Sequence, residues 1–190
     1  MFLIKKTSLD KRCDILIPLH YGSYVDINSP TDCIAQQAAR KGLKKRFYAA
    51  RRQCVKRVIQ PNLEAGRHVL LDRFEGSSFA YQGVARGLGI DTIAALSSMV
   101  VQEGNCLPDL YIVLDVPPEL GLTRKRGSEV NRFELEDLSF HNKVRQGYVD
   151  LVTGIQQGRY NLARYAHIID ATEPPEVVQK NVTSCVSALL

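Results

Sequence analysis

Three short apolar runs, Val69 to Asp72, Leu110 to Val116 and His167 to Asp170, each end in an acidic residue or a proline turn, and stretches of helical period separate them. Apolar runs this short, bounded by turn signals, read as strands buried on both faces, as strands of a parallel sheet are. Phe47, Ala50, Cys54 and Val58 follow a 3,4,4 spacing, and Phe140, Val144, Tyr148, Leu151, Val152 and Ile155 repeat that rhythm. Val177, Val178, Val182, Cys185, Val186 and Leu189 form a last helix after Pro174-Pro175, a helix-start signal. Strands alternating with helices constrain the chain to an α/β sandwich around a parallel sheet. Asp14 to Leu19 reads as a further strand, with Pro18 confining it to a sheet edge or a strand end. No repeat, low-complexity tract or linker interrupts the pattern, so residues 1–190 read as one domain.

The run Asp72-Arg73-Phe74-Glu75-Gly76-Ser77-Ser78-Phe79-Ala80-Tyr81-Gln82-Gly83 follows directly on Val69-Leu70-Leu71. In open parallel sheets the ligand crevice lies beyond the carboxyl ends of the strands, so an acid and an arginine ending such a strand stand where phosphate and metal would meet them. Arginine's planar fork suits bidentate phosphate recognition, which makes Arg73 the candidate phosphate holder. Asp72 is the candidate to sit near a cation or to orient the phosphate, the rival reading being a structural ion pair with Arg73. Phe47 and Arg51 are four apart on a helix and share a face, so a ring can stack on a base while a guanidinium reaches the same nucleotide.

Four separate segments carry a family resemblance. They are Phe47-Tyr48-Ala49-Ala50-Arg51; Asp72 to Gly83; Pro108-Asp109-Leu110-Tyr111-Ile112-Val113-Leu114-Asp115-Val116-Pro117-Pro118-Glu119-Leu120-Gly121-Leu122; and Arg132-Phe133-Glu134, followed by a helix with Phe140 and Val144-Arg145-Gln146-Gly147-Tyr148. In motif order and spacing the chain from about Phe47 onward resembles the thymidylate kinases. The resemblance implies a P-loop-kinase-like fold and the reaction of ATP with dTMP to give dTDP, with Mg²⁺. It also implies that Phe47 stacks on thymine, Arg51 bonds the base or its phosphate, and Ser78 and Gln82 read the pyrimidine edge. By the same resemblance Tyr81 packs on the sugar and disfavours a 2′-hydroxyl, Asp72 and Arg126 are catalytic, and the chain forms a homodimer. Arg124, Arg126 and Arg132 fall in a lid at about 124–132 whose arginines clamp phosphates; the rival reading is a solvated basic loop.

One family feature is missing from these residues. No G-x-x-x-x-G-K-[ST] run occurs, and Lys6-Thr7-Ser8 has no glycine ahead of it to let the backbone wrap a phosphate. The first strand and its P-loop region therefore read as incomplete, with Phe2-Leu3-Ile4 either a stump of the first strand or lying ahead of the first helix. Three functions remain: a kinase whose start lies outside these residues, an inactive dTMP-binding relative or complex subunit, and a nucleic-acid-associated protein. The last rests on a basic patch around Arg40, Lys41, Lys44-Lys45-Arg46, Arg52, Lys56 and Arg57, in which no aromatic residues beyond Phe47 and Tyr48 interleave, so nucleic acid is the weakest partner reading.

Composition adds bounds. With 45% hydrophobic and 24% charged residues, disordered and fibrous classes are excluded. A net charge of +5 suits a polyanionic ligand. Cys13, Cys33, Cys54, Cys106 and Cys185 form no C-x-x-C pair and read as reduced thiols. Met1-Phe2-Leu3-Ile4 runs at once into Lys5-Lys6, too short for a signal or membrane segment, so the expected location is cytoplasmic. No metal-ligand cluster is evident in the sequence.

Overall fold

The structure, a computed structural model, describes residues 2–5, 15–18, 45–101, 106–124 and 136–189. Five strands form one sheet in the order β2-β3-β1-β4-β5. They are β1 (Phe2–Lys5), β2 (Ile15–Pro18), β3 (Val69–Asp72), β4 (Leu110–Asp115) and β5 (Tyr165–Asp170). The helices are α1 (Lys45–Cys54), α2 (Gln60–Glu64), α3 (Glu75–Ser78), α4 (Ile90–Val101), α5 (Pro118–Arg124), α6 (Leu138–Gln156) and α7 (Pro175–Ser187), with π-helical turns at Val55–Ile59 and Phe79–Ala85.

β2 pairs in parallel with β3 at the sheet edge, where the Pro18 nitrogen costs no ladder bond. β4 and β5 are likewise parallel, Asp115 standing opposite Asp170. One strand departs from the expected arrangement. β1 lies between β3 and β4 and runs antiparallel to both, with Phe2 opposite Asp72 and Lys5 opposite Val69. Connection length accounts for it. Parallel strands need a crossover of a dozen or more residues, whereas nine residues, 6–14, separate Lys5 from Ile15, both of which stand opposite Val69 at the same end of the sheet. β1 therefore ends opposite Val69, at the end of the sheet away from Asp72, Asp115 and Asp170.

β4 is buried on both faces, as its sequence predicts. Tyr111 and Val113 join the main core with Val69, Leu71, Phe74, Phe79 and Leu151, while Leu110 and Ile112 join Ile169 in a second cluster that α7 covers with Val178, Val182 and Cys185. β5 begins at Tyr165 and is half-exposed, since it is the outer strand: Ala166 and Ile169 are buried, Tyr165 and Ile168 exposed. The reading of 167–170 as a buried strand is corrected accordingly.

Among the described side chains of α1 and the turn after it, burial also passes through an arginine. Tyr48, Arg51, Val55 and Ile59 are buried, each one position on from a residue of the expected 3,4,4 set. Cys54 and Val58 are only half-buried. An arginine in the stripe hides it from a search for apolar periodicity. α6 follows its predicted face, with Val144, Leu151, Val152 and Ile155 buried and Asp137 capping its start by accepting from the Phe140 N–H at 2.7 Å. Gly147 lets α6 approach the Phe79–Ala85 turn closely; an added Cβ would lie 2.8 Å from the Ala80 Cα.

Candidate functional site

Beyond the carboxyl ends of β3 and β4 lies an open cleft of about 270 Å³ whose lining includes Arg73, Tyr81, Asp115, His141, Arg145 and Tyr148. β3 delivers Asp72 to its edge, and the chain then turns sharply. Arg73 adopts a left-handed conformation, φ 62°, the one non-glycine residue among those described to do so. Such a conformation costs a residue with a Cβ about 1–2 kcal/mol, a strain that the flanking strand and helix hold in place. It ends the strand abruptly and starts α3 one residue after Phe74.

The turn keeps Arg73 at the mouth while its neighbours go under. Burial works against the charge on Arg73, but Tyr148, the hydrogen-bonded Tyr81 hydroxyl and Asp72 outweigh it and move its pKa upward. The guanidinium is a permanent cation at the cleft. Tyr81 sits in an aromatic wall, its ring centroid 6.2 Å from Phe140 and 6.5 Å from Tyr148, and the Ser77 and Tyr148 hydroxyls are 3.1 Å apart.

Behind this layer Arg51 is buried. One nitrogen, Nη2, donates to the Phe74 carbonyl at 2.9 Å and to Ser78 Oγ at 3.1 Å, and its guanidinium lies 5.0 Å from the Tyr48 ring centroid and 5.2 Å from that of Phe74. Ser78 and Gln82 are both buried on the same helical stretch. The structure thus brings Arg51 and Ser78 into contact, and Arg73 and Tyr81 into the cleft. Phe47 lies on α1, one turn before Arg51.

Arg124, expected in the lid, ends α5 and donates to the Ala171 carbonyl at 2.6 Å and the Thr172 carbonyl at 3.1 Å. It braces the turn after β5, which Asp170 stiffens by accepting from the Thr172 N–H and hydroxyl at 2.8 and 2.7 Å. Those bonds to Thr172 hold the Asp170 carboxyl below its ordinary range. Arg126 and Arg132, and with them nearly all of the proposed lid, lie outside the described residues.

Two site residues escaped the sequence reading. Asp115 binds Arg145 through both oxygens, Nε to Oδ1 and Nη2 to Oδ2 at 2.7 Å each, and this partner moves the Arg145 pKa up. An acid ending β4 was the only local signal, and its partner is thirty positions away. Glu75, fully buried inside the motif, is the other. Burial pushes its carboxyl from 4.5 to about 8, against the opposing pull of Arg51 and Ser97.

The described residues offer no fit for Mg²⁺ or a triphosphate. No group of three or more His, Cys, Asp or Glu is placed to hold a metal ion among them. Asp115, the one carboxylate among the residues that line the cleft, is committed to Arg145. Among the described residues no helix is long and apolar enough to cross a membrane.

The thymidylate kinase family model matches residues 34–182. The thymidylate kinase of Anoxybacillus flavithermus is 44% identical over 147 residues, covering 76% of this chain and 66% of that protein. The thymidylate kinase of Geobacillus thermodenitrificans is 42% identical over 147 residues, covering 75% and 61% respectively. The chain thus spans just under two thirds of the length of these curated relatives. The crystal structure of thymidylate kinase from Ehrlichia chaffeensis, at 22% identity, shares the fold with a TM-score of 0.58 over 84% of this chain and 75% of that one. With four motifs in order and their Arg51, Arg73, Ser78 and Tyr81 gathered at the carboxyl ends of β3 and β4, the chain belongs to the thymidylate kinase family.

Proposed function

We propose that this chain forms the dTMP-binding part of a thymidylate kinase, which transfers a phosphoryl group from ATP, with Mg²⁺, to dTMP to give dTDP. The observation that carries the reading is the two-layer arrangement of cations: Arg73 charged at the cleft mouth and Arg51 buried behind it on Ser78. Arg73 takes the monophosphate in a bidentate grip, since its fork matches two phosphate oxygens. Asp72 steadies that grip from the strand end. Tyr81, walled in by Phe140 and Tyr148, packs on the sugar where a 2′-hydroxyl would crowd it. Arg51, Ser78 and Gln82 face the pyrimidine's polar edge, and Phe47 stacks on its ring. Arg126 and Arg132 act on the transferred phosphate, and the homodimer and cytoplasmic location belong to the same reading.

Calorimetric titration tests this. dTMP binds the full chain, and Arg73→Ala weakens it about tenfold or more, the loss of one charge-assisted contact. UMP competes poorly with dTMP. Equal affinity of wild type and Arg73→Ala for dTMP, or a preference for UMP, overturns the assignment.

A further inference from the structure

Glu75 is 1% exposed, and among the described residues neither carboxyl oxygen has a partner within hydrogen-bond geometry, Ser97 standing near without closing one. The groups that act on it come from three elements: Arg51 of α1, Ser97 of α4 and Tyr111 of β4. Each of these also carries a buried polar atom with no hydrogen-bond partner among the described residues, namely Arg51 Nη1, Ser97 Oγ and Tyr111 Oη, and the Arg51 bond to the Phe74 carbonyl, one residue before Glu75, holds the guanidinium beside it. Leaving that many buried polar groups unpaired is costly. The cost of an unpaired acid is least when it is neutral, and burial favours that form by holding the carboxyl at about 8. Arg51 then has its Nη2 on Phe74 and Ser78 and its Nη1 idle. An ionised Glu75 changes this balance, because a carboxylate and an idle guanidinium nitrogen in one low-dielectric layer attract strongly.

We propose that Glu75 is a positioning residue for Arg51: neutral, it leaves the guanidinium on Ser78 and its charge available to an electron-rich oxygen of the bound nucleotide; ionised, it draws Arg51 to itself and weakens nucleotide binding. The proposal rests on the reading of this cleft as a nucleoside monophosphate site. It assigns a role to a buried acid that the four motifs do not explain, and it makes binding weaker in alkaline medium.

The experiment is calorimetric titration of dTMP into the full chain at pH 7, 8 and 9, for wild type and Glu75→Gln. With the carboxyl titrating near 8, wild-type affinity falls about fivefold between pH 7 and 9, while Glu75→Gln, which keeps shape and loses the charge, stays nearly level. Level wild-type affinity, or a glutamine variant that falls in step with wild type, overturns the proposal and leaves the nucleotide site standing. Absence of dTMP binding at every pH overturns the site reading and this proposal with it. A second measurement needs no variant: carbon-13 NMR of the glutamate carboxyls with and without saturating dTMP. Linkage is reciprocal, so dTMP must raise the Glu75 midpoint by about one pH unit. An unmoved midpoint, or titration in the ordinary carboxylate range, refutes the proposal.

Discussion

Replacing Glu75 by glutamine is expected to stabilise the fold, and by an amount that grows with pH. The carboxyl titrates at about 8 in the folded chain against an ordinary 4.5. Between those values the folded state binds a proton that the unfolded chain has lost. Its contribution is therefore fully present below about pH 4.5 and is lost as pH rises to about 8. Each pH unit in that window is worth about 1.4 kcal/mol, so at pH 7 the buried acid costs on the order of 3 kcal/mol relative to pH 4.5. Glutamine occupies the same volume without a proton to lose, and its amide can use the Ser97 and Tyr111 hydroxyls that stand beside it. Urea denaturation followed by circular dichroism at pH 5, 6, 7 and 8 measures the difference between variant and wild type, in which the other titrating groups cancel. That difference should be small at pH 5 and reach a few kcal/mol at pH 8. A difference that stays constant across the range would refute the reasoning, since it would mean that Glu75 is ionised throughout, with Arg51 as its partner.

Three further outcomes follow from the packing. Gly147→Ala places a methyl 2.8 Å from the Ala80 Cα, backbone that cannot yield, and 3.1 Å from the Val84 Cβ, and should lower stability by roughly 1–3 kcal/mol in denaturant titration; an unchanged midpoint would show that α6 can shift outward freely. Asp115→Asn breaks a bidentate pair whose side chains remain 40% and 21% exposed, so screening holds its cost to about 1 kcal/mol or less; a large loss would mean that the pair anchors the whole cleft. Burial pushes the Cys54 thiol up to about 11, and iodoacetamide at pH 8 should leave it unmodified in the native protein while labelling it in urea. Peptide mass mapping reads the result, and native labelling would contradict that burial.

What the sequence determined on its own was whatever nearest neighbours along the chain control. Short apolar runs and 3,4,4 spacings reflect local backbone geometry, so β3, β4, α6 and α7 were legible within a residue or two, and Pro18 marked an edge strand because it lacks a donor. The Asp72 to Gly83 run was legible for the same reason, since its residues are adjacent in the chain and read as one motif. Tertiary structure decided the rest. The direction of β1 depends on which ends of the sheet a short link can join, and nothing in Phe2 to Lys5 records that. The α1 stripe passes through Arg51 because a guanidinium finds a carbonyl, a hydroxyl and two rings from α3 and its neighbours, a compensation that no propensity of α1 contains. Asp115 selects Arg145 only once β4 and α6 are packed together. Glu75, an ordinary surface residue by type, becomes a buried acid because the strained turn at Arg73 tucks the start of α3 beneath the cleft, where the loss of water changes its chemistry.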